Sequence, residues 1–315
     1  MKFHENTLAE QARIESAITR WGWAAEHNFW WYQYYQYWYA PTQRTIFAEA
    51  DRGALFTVFI ERSQEYFVVF DPLAAPADRV PLLMEYIDWI FSNTPAKKIW
   101  FQLAKENRRE FLSRLPDAYR SNRVYYTLLS PIYDLSRFDP QLPGGQFKSL
   151  RKELHRFYRE HAVEVRDAKS FPDYEGLHAL ADHWKSRRPN TEKGMAGVYH
   201  ALIDNHFKGL DEARVFVVDG RPAGINGGWM VPNCDRYYGS IGIHDYSVPD
   251  LGAMLYLEDM VYLKQHGYRV VDMGGTEKKY LTFKDKFQPQ SYEEMVIFSA
   301  VKTLATIPRK ELEYQ

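Results

Sequence analysis

The order of short apolar runs between residues 214 and 273 leaves few folds open. Arg214-Val215-Phe216-Val217-Val218 is rich in β-branched and aromatic residues and ends at Asp219-Gly220, a strong hairpin signal. Residues 223–230 predict the return strand. The turn Pro232-Asn233-Cys234-Asp235 then leads into a third strand, 236–241. Residues 251–266 follow with Met254, Leu257 and Val261 on one helical face, and Gly267 is placed to stop that helix. Val270-Val271-Asp272-Met273 comes next as another strand, and 294–298 predicts a last one. Such a series predicts an α/β chain with a mixed sheet flanked by helices.

The first half reads similarly. Residues 8–21 have helical spacing, and 54–60 and 66–70 predict strands. Residues 79–91 predict a helix, 98–101 a strand, 106–115 a helix and 123–129 a strand. The segment Arg137-Phe138-Asp139-Pro140-Gln141-Leu142-Pro143-Gly144-Gly145 breaks the composition and reads as a linker. Two modules are therefore expected, 1–140 and 146–315. They share element order rather than residue identity, as in a degenerate internal duplication. After the linker a basic helix is expected over 146–161, a short strand over 163–165, and helices around 174–185 and 195–207.

Composition narrows the function classes. The chain has 315 residues, with 40 Lys and Arg against 41 Asp and Glu, so a bulk polyanion-binding charge is excluded and any phosphate must meet a local patch. No run of roughly 18 apolar residues predicts a membrane helix, and the start, Met1-Lys2-Phe3-His4-Glu5-Asn6, has no apolar leader. The single cysteine, Cys234, excludes a disulfide framework and a Cys-rich zinc site, and a cytoplasmic location is the expectation. Aromatic residues make up 16%, and much of this lies in 29–39, which either packs as core or lines a ligand or partner surface.

The element order of the second half is that of the GNAT acyltransferase fold. Three stretches carry a closer resemblance: Pro249-Asp250-Leu251-Gly252-Ala253-Met254, Val271-Asp272-Met273-Gly274-Gly275, and Leu281-Thr282-Phe283-Lys284-Asp285-Lys286-Phe287-Gln288-Pro289. With the basic stretch Lys148-Ser149-Leu150-Arg151-Lys152-Glu153-Leu154-His155-Arg156, the chain over about 146–298 resembles the phosphatidylglycerol lysyltransferase C-terminal domain family (DUF2156-like). The resemblance implies a tandem GNAT architecture with a groove at the junction of two modules. It also implies transfer of an aminoacyl group from aminoacyl-tRNA, as in the related Fem transferases, and an active-site role for Lys284. The chain lacks the membrane-spanning half of the lipid synthases, so phosphatidylglycerol is not implied as the acceptor.

The residues allow the following roles. A loop that cradles the pyrophosphate of an acyl-CoA needs free amides at a helix N-terminus. Gly252 fits its central position, but Pro249 offers no N–H, and Met254 is expected to crowd the approach. The segment equally starts a helix and nothing more. Lys148, Lys152, Arg156 and Arg159 form one helical stripe, with Arg151 in the same cluster, that either meets tRNA phosphates or is a solvated face. Arg187, Arg188 and Lys278 are further phosphate candidates.

Strand alternation would turn Lys284 and Lys286 to one side, away from Phe283 and Phe287, with Lys284 facing a phosphate or oxyanion or pairing with Asp272 or Asp285. Asp272 is the candidate base or orienting carboxylate. Asn226, Tyr238, Gly274, Gly275 and Phe283 are candidate substrate contacts. No Walker loop, nucleophile elbow or Cys-x-x-Cys occurs, and the scattered histidines, including His178, His183, His200 and His206, predict no metal site. No tightly bound cofactor is expected. The co-substrate is aminoacyl-tRNA or, failing that, an acyl-CoA, and a non-catalytic binding role on the same scaffold remains the third reading.

Overall fold

The computed structural model describes residues 1–38, 43–188 and 194–303. Tyr39, in the aromatic segment, and the end of the expected second module lie outside them. In chain order the first half runs β1 (Lys2–His4), α1 (Gln11–Trp21), α2 (Phe29–Tyr34), β2 (Gln43–Ala50), β3 (Gly53–Ile60), β4 (Glu65–Val68), β5 (Leu73–Ala74), α3 (Arg79–Asn93), β6 (Lys98–Ala104), α4 (Lys105–Arg114), β7 (Tyr119–Ser121) and β8 (Tyr126–Asp134). The second runs α5 (Lys148–Glu160), β9 (Val163–Asp167), α6 (Tyr174–Ser186), α7 (Met195–Asp204), β10 (Glu212–Val218), β11 (Arg221–Met230), β12 (Tyr237–His244), α8 (Leu251–Gln265), β13 (Val270–Asp272), α9 (Leu281–Asp285) and β14 (Ser291–Lys302).

The same unit occurs twice. β2, β3 and β4 pair antiparallel, α3 crosses over, and β6 lies parallel to β4. Likewise β10, β11 and β12 pair antiparallel, α8 crosses over, and β13 lies parallel to β12. The helices form because their apolar residues recur on one face: Ile14, Ala17 and Ile18 on α1, and Leu150, Leu154 and Phe157 on α5. The Asn28 side chain caps α2 by accepting from the Trp31 N–H at 2.9 Å.

The halves exchange their last strands. β8 leaves the first half to pair with β13, and β14 returns to pair with β6. β14 also pairs with β8, so one continuous sheet runs through both halves.

Three apolar cores result. One lies under α3 and α4, and one lies between the sheet and α5 and α8. The third joins α1, α2 and β3 of the first half to α6, α7 and one face of β10–β12. Most of the aromatic segment is in this shared core: Phe29, Trp31, Tyr32, Tyr34 and Tyr35 are buried, so it serves chiefly as packing.

Two expectations are corrected. Residues 281–285 are helical, so strand alternation does not set the directions of Lys284 and Lys286. Met254 is fully buried beneath α8, so it does not crowd the approach to the helix N-terminus.

Candidate active site at the junction of the halves

β12 and β13 pair over only two positions, Tyr237 with Val271 and Tyr238 with Asp272. After Asp272 the chain turns through Gly274, whose φ is +75°. It then bonds β8 instead: Met273 N–H to Pro131 O, and Thr276 and Leu129 to each other. β12 runs on to His244, so its edge beyond Tyr238 opens away from β13.

A β-bulge sits at the start of that opening. Gly228 faces Gly239 and Gly227 faces Ile241, leaving Ser240 as the extra residue. Bulges re-aim backbone groups beside sites. Glycine is needed at 228, since a Cβ there would lie 1.9 Å from the Tyr238 carbonyl oxygen. Gly228→Ala should push β12 outward at the bulge and cost about 1–3 kcal/mol in urea unfolding; an unchanged midpoint would show that the bulge yields freely.

Register places Trp229, Tyr238 and Asp272 side by side across three strands, on the face of the shared core. The loop between α1 and α2 covers that face. Trp229 Nε1 donates to Ala25 O at 2.8 Å, and Asn233 Nδ2 donates to Thr19 O and Gly22 O. His27 knots the loop internally. Its Nδ1 accepts the N–H groups of Trp23 and Ala24, and Nε2 donates to Asp71 O at 2.8 Å. Burial pushes this imidazole down to about 4, so it is neutral.

The loop brings Glu26 to the junction. Asp272 is 2% exposed and Glu26 7%. Burial lifts Asp272 to about 6, against the pull of Arg236 and the Gly274 N–H, which donates to it at 2.9 Å. Burial lifts Glu26 to about 8, and the Asp272 charge pushes it the same way. Arg236 reaches Glu293 of β14. Lys284 approaches from the other side. Its ammonium donates to Met273 O at 2.7 Å and Gly274 O at 2.6 Å, and burial lowers it to about 8 while Asp272 opposes. Lys284 thus staples the glycine turn and faces Asp272, with one N–H of its three left over.

The other sequence candidates separate. Tyr238 is buried in the row beside Asp272, and Gly274 and Gly275 form the turn. Asn226 is elsewhere: its amide donates to Leu255 O, tying β11 to α8. Phe283 packs edge-on against Tyr256 at 5.6 Å. Lys286 pairs with Glu153 of α5 at 2.9 Å. Gly252 lets the start of α8 approach the His244 ring, 3.0 Å from where a Cβ would stand.

Of the cations, Arg151 holds the linker through Leu142 O and Gly144 O, and Arg156 pairs with Asp250. Arg188 lies over the Trp184 ring at 4.8 Å. Lys148, Lys152, Arg187 and Lys278 are exposed, with no ion pair among the described residues. Sequence reasoning missed Glu26, Arg236 and Glu293. Only the fold brings these three to Asp272, and no local motif marks them.

Two other features stand apart. A cavity of about 520 Å³ opens between Tyr37, Trp38 and α7, lined also by Lys185, His200 and Asp204, and includes neither Asp272 nor Lys284. His178 and His200 meet through their Nδ1 atoms at 2.8 Å, each backed by a carboxylate, Asp204 and Asp182 respectively. Among the described residues no group of three such side chains is disposed to hold a metal, and no helix is long and apolar enough to cross a membrane.

Residues 26–279 match the family described as phosphatidylglycerol lysyltransferase, C-terminal. The chain belongs to this family. The match takes in most of the first half, beyond the stretch 146–298 that carries the resemblance in sequence. It stops short of Lys284 and so adds nothing to the reading of 283–289.

The fold is shared with solved structures. A conserved protein of unknown function from Bacteroides thetaiotaomicron has a TM-score of 0.68 at 17% identity, covering 96% of this chain and 100% of its own. L-PGS from Bacillus licheniformis has a TM-score of 0.62 at 17% identity, covering 96% and 94%. A tandem GNAT protein from the clavulanic acid biosynthesis pathway has 0.59 at 12%, covering 97% and 99%. The chain is therefore a tandem GNAT-like α/β protein. No curated protein matches it.

Proposed function

We propose that this chain transfers an aminoacyl group from aminoacyl-tRNA to an amine, hydroxyl or lipid-like acceptor, in the cytoplasm where charged tRNA is made. The reaction centre is the opening between β12 and the turn after Asp272, with 146–315 as the module that carries it. One observation carries this reading: the departure of β13 leaves an open strand edge flanked by a buried carboxylate and a half-buried ammonium. Such an edge offers backbone N–H groups to a carbonyl oxygen, and the bulge at Ser240 re-aims them.

In the step, Asp272 takes the proton of the acceptor amine or hydroxyl. The freed nitrogen or oxygen attacks the ester carbonyl, a new C–N or C–O bond forms, and the ester C–O bond breaks. The terminal ribose hydroxyl of the tRNA leaves with a proton. A carboxyl raised to about 6 accepts protons better than an ordinary aspartate and is still largely ionised at neutral pH. Lys284 fixes the turn that shapes the opening. Lys148, Lys152, Arg187 and Lys278 are free to meet acceptor-stem phosphates.

The start of α8 favours this donor over acyl-CoA. The Asp250 carboxylate, paired with Arg156, stands where a pyrophosphate would need positive potential. The deciding experiment offers the purified chain labelled aminoacyl-tRNA or labelled acetyl-CoA, with pooled amine, hydroxyl and lipid acceptors. Transfer from tRNA, lowered at least tenfold by Asp272→Asn, is expected. Transfer from acetyl-CoA alone would replace the donor assignment, and no transfer from either would leave a binding scaffold.

A further inference from the structure

α9 spans only Leu281–Asp285, and a helix that short does not hold itself in place. What fixes it comes from the rest of the fold. The Tyr256 ring of α8 lies against Phe283 at 5.6 Å and Phe287 at 4.5 Å. Lys286 pairs with Glu153 of α5, and the Tyr292 hydroxyl of β14 donates to Asp285. One further tie falls on Lys284 itself. The Tyr133 hydroxyl of β8 donates to the Lys284 carbonyl oxygen at 2.9 Å, beside the bond that this oxygen accepts from the Phe287 N–H at 3.1 Å. Tyr256 backs it, its hydroxyl donating to the Tyr133 hydroxyl at 3.1 Å. Tyr133 is 1% exposed and Tyr256 9%. Burial raises both phenols, so each keeps its proton to donate. A buried hydroxyl that loses its partner gains none in exchange, so these bonds hold their geometry.

Register sets what Tyr133 can reach. It stands opposite Val271, and its neighbour Ile132 stands opposite Asp272. Successive residues of a strand point to opposite faces. Tyr133 and Val271 belong to the core under α5 and α8, whereas Asp272 lies in the row with Tyr238 and Trp229 on the other face. Tyr133 is therefore walled off from a substrate at Asp272 by the sheet. Its route to the site runs through Lys284, whose ammonium holds Met273 O and Gly274 O, and so the turn whose Gly274 N–H bonds Asp272.

We propose that Tyr133, backed by Tyr256, is a positioning residue for the reaction centre: it fixes the Lys284 backbone so that the ammonium holds the glycine turn beside Asp272. Its effect on rate rests on the transferase reading; its effect on Lys284 does not. β8 is the strand that leaves the first half, so the first half sets the place of the second half's lysine.

The test is Tyr133→Phe in the full chain, which removes the hydroxyl and keeps the ring. Acetic anhydride labelling across pH, read by peptide mass spectrometry, gives the titration midpoint of Lys284, with exposed Lys148 as the reference. Burial lowers Lys284 from 10.5 to about 8, and Asp272 opposes. The other charged or titratable groups around α9 are Glu153, Asp285, Lys286, Tyr256 and Tyr292, and the variant keeps them all. Without the Tyr133 bond the lysine should move outward and its midpoint rise by about one pH unit, while that of Lys148 stays. Transfer from charged tRNA should lose about tenfold in kcat with KM unchanged, because the lost bond touches no part of the tRNA. A lowered melting temperature with an unmoved midpoint overturns the proposal, as does a variant equal to wild type. Tyr256→Phe leaves the Tyr133 bond in place and should shift the midpoint less, in the same direction. If Tyr133→Phe does not fold, Tyr256→Phe decides alone, and no shift there overturns the proposal. A shifted midpoint with no transfer by either protein keeps the positioning and removes the transferase. Transfer at equal rates with an unmoved midpoint does the reverse.

Discussion

At pH 9 the Glu26→Gln protein should melt well above the wild type, and near pH 4 this advantage should vanish. Glu26 has its carboxyl raised from 4.5 to about 8 in the folded chain. A group raised in this way binds its proton more tightly folded than unfolded. Its contribution is fully present below 4.5 and is lost as pH rises through 8. With about 1.4 kcal/mol per unit, the loss amounts to about 3–5 kcal/mol, or roughly 5–10 °C.

Glutamine keeps the shape and cannot ionise, so it escapes the loss. Any cost of placing its amide in the junction is the same at both pH values and cancels when the two differences are compared. Asp272 and Asp71, both raised to about 6, lose stability over a lower window in both proteins. His27 and His244, lowered to about 4, act oppositely, losing stability as pH falls from 6.5. Only the variant-minus-wild-type difference reads Glu26. A difference that is flat from pH 4 to 9 would mean that the carboxyl is not buried as described.

The second large effect concerns a pair outside the site. Arg214 and Asp259 are 7% and 5% exposed and bond each other between β10 and α8, with the guanidinium over the Tyr262 ring at 4.0 Å. Arg214→Leu should cost about 3–5 kcal/mol, because it leaves a buried carboxylate without its cation. Removing both charges, as Arg214→Leu with Asp259→Leu, should recover most of that, since a buried pair gives little net stability over apolar packing. Urea unfolding of the two proteins reads this directly. If the single variant matches wild type, water reaches Asp259 and the pair is not buried.

Much of the fold was legible because its elements carry their own periodicity. The three strands of 212–244, the helix after them and β13 follow from alternation, turn residues and a helical face. β2 was missed: its end, Phe47-Ala48-Glu49-Ala50, suits a helix as well as a strand, and pairing with β1 and β3 decides it. Lys284 was placed near Asp272, but on a strand. The alternation of Phe283, Lys284, Asp285 and Lys286 fits two strand faces, and nothing local reveals a single helical turn there.

Asn226 was picked for its place in a glycine-rich central strand. Its amide faces α8 instead. Glu26 could not have been found, because its place is set by the bond from Trp229 to its neighbour Ala25, 204 residues apart. The strands β8 and β14 were both foreseen, but not that each would join the other half. Strand partners far apart in sequence leave no local trace.

That exchange has a consequence for how the protein is made. β6 lacks its neighbour until residues 291–302 have emerged from the ribosome, about 200 residues later, and at ordinary elongation rates the wait is roughly 10–40 s. Through that interval the nascent first half carries an unpaired apolar edge, Ile99, Phe101 and Leu103, that β14 covers in the finished fold. The first half therefore completes its sheet only once β14 has emerged, and until then that edge is open to other strands.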